Sequence, residues 1–164
     1  MAQVSGPGVS GAGVSGAGVS GPGVSGLTRL LGYAGLLPQA ALLVLILGLH
    51  DPSGVVHGMA FFYAALIFSF IGGIWWGFAM RRPAGPGALV WAAVAPTVVT
   101  IVLVALAVHG SLRWAMVAVA SGLFLTLLVD RALVRAGEAP AGWMGLRVPL
   151  SLGLGVLTIL AAMM

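Results

Sequence analysis

The stretch GMAFFYAALIFSFIGGIWWGFAM, residues 58–80, runs for 23 residues without a charged side chain. A helix rises about 1.5 Å per residue and needs about 20 apolar residues to cross roughly 30 Å of hydrocarbon, so this segment alone is long enough to span a bilayer. Working outward from it, the same pattern recurs and predicts spans at about 30–49, 58–80, 87–108, 112–133 and 146–163. The expected fold class is all-α: a polytopic membrane protein built as a bundle of five transmembrane helices. The fifth span carries Pro149, Gly153 and Gly155, residues that membrane helices tolerate better than soluble ones do.

Composition agrees. Only 6% of residues are charged and 60% are hydrophobic, with a mean hydropathy of +1.15, whereas a soluble domain carries roughly 25% charged residues. The net charge of +4 comes from seven scattered arginines set against three acids. That distribution offers no basic stripe for a phosphate backbone, so no nucleic-acid partner is expected. Cysteine is absent, which removes disulfides, thiolate metal sites and cysteine nucleophiles.

Residues 1–26 form a separate region. From Val4 to Ser25 a pentapeptide repeats as Val-Ser-Gly followed by Pro-Gly or Ala-Gly. So much glycine makes ordering entropically costly, and one valine per repeat offers little burial in return, so a disordered low-complexity tail is expected. The tail has neither the basic start nor the apolar core of a secretory signal. Residues 27–164 make up the five-span domain.

The arginines predict orientation. Arg29, Arg81, Arg82, Arg131, Arg135 and Arg147 fall on one side of the predicted spans and Arg113 on the other. By the positive-inside rule the N-terminus is cytoplasmic and the C-terminus outside, in a bacterial inner (plasma) membrane. The five tryptophans, Trp75, Trp76, Trp91, Trp114 and Trp143, read as interfacial depth markers.

Two helix faces look suited to close packing. The second span presents Ala65, Ser69, Gly73 and Gly77 at a spacing of four, and the fourth presents Ala118, Gly122 and Thr126. Small side chains let backbones approach in lipid, where no hydrophobic drive exists between helices. Asp130 continues the second of these faces and is the one acid inside or near a span. Its expected role is an ion pair at the cytoplasmic end with Arg131, Arg135 or Arg147, and specifically a bridge to Arg147 across the fourth and fifth spans; a proton or cation relay is the alternative. Pro38 and Pro96 are expected to kink the first and third spans.

His50, Asp51, His57 and His109 fall together on the predicted outer face. Imidazole and carboxylate can ligate a divalent ion, but the spacing matches no helical ligand pattern, so the four are weak metal candidates and no metal or other cofactor is expected. No Walker loop, GxSxG elbow, HExxH or paired catalytic carboxylates occur. No catalytic residues are therefore assigned.

Three motifs carry a family resemblance: Leu31-Gly-Tyr-Ala-Gly-Leu-Leu-Pro38, Ser69-Phe-Ile-Gly-Gly-Ile-Trp-Trp-Gly77 and Gly142-Trp-Met-Gly-Leu-Arg147. Together they resemble the transmembrane protein 69 family, and the resemblance covers about residues 27–160. It implies a small, roughly five-span protein of uncharacterised biochemical role. The expected function is that of a non-enzymatic structural, assembly or interaction component, in contact with the lipid bilayer and with a membrane-protein partner or a second copy of itself. The alternative is a small-solute or ion permease using Asp130 and the kinked spans.

Overall fold

The computed structural model describes residues 26–48 and 54–164, and they form six helices. These are α1 (Gly26–Ala34), α2 (Leu37–Gly48), α3 (Val55–Met80), α4 (Leu89–His109), α5 (Leu112–Arg135) and α6 (Trp143–Met163). No strand occurs among the described residues. Taken together, α1 and α2 form one span, Gly26–Gly48, and the other four helices each form one, so five segments are long and apolar enough to cross a membrane. The repeat and its expected disorder lie almost wholly outside the described residues, as do His50 and Asp51.

The first span starts four residues earlier than expected and is broken at Gly35 and Leu36. Pro38 explains the break. It has no N–H to give to the fourth carbonyl back, and its ring collides with that carbonyl, so α1 stops at Ala34 and a new helix starts with Pro38 in its first turn. The break leaves the Gly35 carbonyl to be satisfied from outside, and the Tyr63 hydroxyl of α3 donates to it. A similar repair occurs at Pro149 of α6. The carbonyl of Gly145, four residues earlier, accepts the Tyr33 hydroxyl at 3.4 Å. In lipid an unpaired carbonyl has no water to turn to, which gives both tyrosines of the chain a structural task. Tyr63→Phe is expected to lower stability by about 0.5–1.5 kcal/mol, read from thermal unfolding in detergent, with a smaller loss for Tyr33→Phe because its bond is long and exposed.

At its centre lies α3, in contact with α2, α4, α5 and α6, while α5 packs extensively on α6. Many of the buried side chains are small, and many large ones face outward. Ala60, Ala64, Ala79, Ala115, Ala120 and Ala161 are fully buried, whereas Leu66, Phe70, Ile101, Leu125 and Leu128 point outward. In water that surface would drive aggregation; in hydrocarbon it costs nothing, and small interior residues bring the helices into contact.

The turn between α5 and α6 holds the ends of the bundle together. Gly137 takes a left-handed φ of 70°, which lets its N–H reach Val134 O at 3.1 Å and the Glu138 N–H reach Leu133 O at 3.0 Å. That double bond pattern closes a helix whose last carbonyls would otherwise be orphaned. Glu138 then meets Arg82 of the α3–α4 turn at 3.0 Å. Both side chains are partly exposed, so the pair contributes at most about 1 kcal/mol.

Candidate functional site

Asp130 lies five residues before the end of α5 and is completely buried. Thr126, one turn earlier, shares its face. Opposite stands the first part of α6, where Trp143 and Arg147 are likewise one turn apart. The spacing of four lets each helix project two side chains toward the same point. Trp75 reaches this point from α3.

Three donors converge on the carboxylate. Arg147 Nε donates to Asp130 Oδ2 at 2.8 Å, and the indole Nε1 atoms of Trp75 and Trp143 donate to Oδ1 at 3.0 and 3.1 Å. Arg147 is only 6% exposed. Its Nη2 reaches Thr126 Oγ1 at 3.5 Å, and that hydroxyl donates to Leu123 O at 2.6 Å. The guanidinium also lies 6.0 Å from the centre of the Trp143 ring, within range of a cation–π attraction. Phe78 braces the same indole edge-on at 5.7 Å. A carboxylate offers about four acceptor positions, and three are taken here, so the arrangement is well suited to joining three helices and poorly suited to exchanging ions.

A second polar junction ties α2 to α6. Gln39, fully buried, donates through Nε2 to Thr158 Oγ1 at 3.1 Å, and Thr158 donates to Leu154 O at 2.7 Å. Two buried oxygens, Gln39 Oε1 and Ser151 Oγ, have no hydrogen-bond partner among the described residues. Ser151 lies on the wall of a cavity of about 500 Å³ bounded by α1, α3 and α6, with Arg147 on the same wall. Between α4 and α5 runs a separate groove of about 580 Å³, bordered by Trp75 and Thr126.

A family model described as "Protein of unknown function (DUF3429)" matches residues 24–163, the whole of the bundle. The chain belongs to this family. Searches of curated proteins and of solved structures find no match.

In this DUF3429 protein the expected bridge between Asp130 and Arg147 is formed, deep in protein rather than at interfacial water. Arg131 and Arg135, the other two basic residues considered for it, are exposed. Trp75 and Trp143, expected as interfacial depth markers, also have a polar task inside the bundle. Trp75 is buried, and both indoles spend their N–H on Asp130. Trp91 and Trp114 are exposed at helix ends.

The small-residue face of α3 is rotated from its expected position. Ala65 is buried and Ser69 bonds Thr97 of α4 at 2.9 Å, but Gly73 and Gly77 are exposed and a Cβ on either would meet nothing within 4 Å. The close approach is made by Gly72, where a Cβ would run into the main-chain oxygen of Ala93 on α4. On α5, Gly122 is a true contact: a Cβ there would lie 2.9 Å from the ring of Phe68. Ala118 is half-buried beside it.

His57 lies in the first turn of α3 and His109 ends α4. Among the described residues no three His, Cys, Asp or Glu side chains are placed to hold a metal ion. Sequence reasoning missed Trp75, Trp143, Gln39 and Ser151 as polar contributors. An indole looks like an interfacial anchor and a lone Gln or Ser looks incidental until a partner helix is placed beside it.

Proposed function

We propose that this DUF3429 protein is a non-enzymatic component of the bacterial inner membrane, oriented with its N-terminus in the cytoplasm and its C-terminus outside, that assembles with another membrane protein or a second copy of itself. The observation that carries this reading is the use made of Asp130. The one acid within a span is enclosed by Arg147, Trp75 and Trp143, which makes it a packing element and leaves it poorly placed as a base, nucleophile or relay. The exposed Gly73 and Gly77 support the assembly part of the reading, because they leave a shallow notch on α3 that the chain does not fill itself. The finer family assignment, to the transmembrane protein 69 family, is part of the same proposal and rests on the motif at residues 69–77.

The test is affinity purification in mild detergent after crosslinking in native membranes. A specific partner or self-crosslink, lost in Gly73→Leu while the variant's unfolding temperature stays within about 2 °C of the parent's, is the expected result. Proteoliposome flux that disappears on Asp130→Asn would instead favour a small-solute or ion permease.

A further inference from the structure

The cavity of about 500 Å³ between α1, α3 and α6 has the size of a small-molecule site. Its walls are mostly aliphatic and aromatic; the polar residues among them are Thr28 of α1 and, one turn apart on α6, Arg147 and Ser151. Ser151 is 2% exposed and its hydroxyl has no partner among the described residues. A serine on a helix commonly turns its proton back to the carbonyl one turn earlier, as Ser121 does to Val117 at 2.9 Å; Ser151 does not. Arg147 commits Nε to Asp130 and Nη2 weakly to Thr126, and Nη1 makes no hydrogen bond among the described residues.

Charge balance narrows what can bind. Asp130 already neutralises Arg147, so an anion entering the cavity would leave an excess negative charge against hydrocarbon, where ions are strongly disfavoured. An uncharged acceptor oxygen can take the free N–H and O–H groups without that cost. The route of entry narrows it further. Leu31 and Phe70 line the cavity yet are 63% and 65% exposed, so it opens on the outer face of the bundle, where lipid chains lie. We propose that this cavity binds an uncharged, membrane-dissolved amphiphile whose carbonyl oxygen accepts from Arg147 and Ser151 while its apolar chain lies against Ile67, Phe70 and Leu150. The proposal does not depend on assembly with a partner protein.

A quinone and an acylglycerol share this chemistry, and a titration separates them. The full chain, reconstituted in nanodiscs, is titrated with decylubiquinone and with dioleoylglycerol, using oleate as the charged control and squalene as the control without oxygen. Binding is read by native mass spectrometry and by the shift in unfolding temperature. Saturable binding of decylubiquinone, dioleoylglycerol or both is expected, and whichever binds identifies the source. Ser151→Ala is expected to weaken it about five- to tenfold, and Ile74→Trp, which fills the cavity, to abolish it. The proposal is overturned if neither carbonyl compound saturates, if oleate or squalene binds as tightly, or if Ser151→Ala leaves the affinity unchanged. Ser151→Ala removes only an unpaired hydroxyl, so it is expected to fold even if Ile74→Trp does not.

Discussion

Asp130→Ala is expected to cost the bundle about 3–5 kcal/mol of stability, the usual penalty for removing one partner of a buried ion pair. The substitution strands the Arg147 guanidinium in a region it cannot leave and deprives the Trp75 and Trp143 indoles of their acceptor. The cost is thus mostly that of the groups left behind. A companion variant makes the point measurable. Asp130→Leu combined with Arg147→Met removes both charges together and is expected to recover more than half of the loss, because an apolar pair of similar volume replaces a desolvated one. Unfolding in detergent of Asp130→Leu, Arg147→Met and the double variant, taken as a double-mutant cycle, reads the coupling directly. If Asp130 were a relay, its removal would abolish flux while leaving stability nearly intact, the opposite pattern.

Neighbouring glycines on α3 are expected to respond in opposite ways. Gly72→Ala drives a methyl group into the main-chain oxygen of Ala93 and to 3.3 Å from the Pro96 ring. A carbonyl in a helix cannot step aside without carrying α4 with it, so the loss should be about 1–3 kcal/mol, the range for overpacking, and Gly72→Leu should prevent folding. Gly73→Ala, one residue on, meets open space and should change stability by no more than about 0.5 kcal/mol. Thermal unfolding of the two alanine variants side by side checks the register of the whole α3–α4 contact. Equal effects would mean that the two helices pack on a different face.

That comparison also shows where reading from sequence ends. Spans are visible because hydrocarbon excludes charge from lengths of about 20 residues, a demand that any single segment must meet by itself. The face of a span is much harder to see. A helix in water advertises its buried side by a polar stripe opposite, but α3 is apolar all round, and Leu66 facing lipid looks no different from Phe61 in the core. The choice between Gly72 and Gly73 therefore had no phase signal to rest on. Asp130 was easier, since a lone acid in a span demands a counter-charge and few arginines were within reach. Its indole partners were not legible, because tryptophan near a span end has a sufficient interfacial explanation already.

Taken alone, the sequence determined the five crossings, the all-helical class and the need for Asp130 to find a cation, all through the cost of placing charge or bare backbone in hydrocarbon. It also located the prolines that interrupt helix bonding. Only the tertiary structure decided which glycine lets α3 meet α4, which carbonyls near the prolines the two tyrosines satisfy, and that Trp75, Trp143 and Arg147 meet on one carboxylate while Ser151 lines a cavity. The physical reason is that the membrane acts on each segment separately and so leaves its mark in each segment's composition. Packing acts between segments, and among uniformly apolar helices it leaves almost no trace in any one of them.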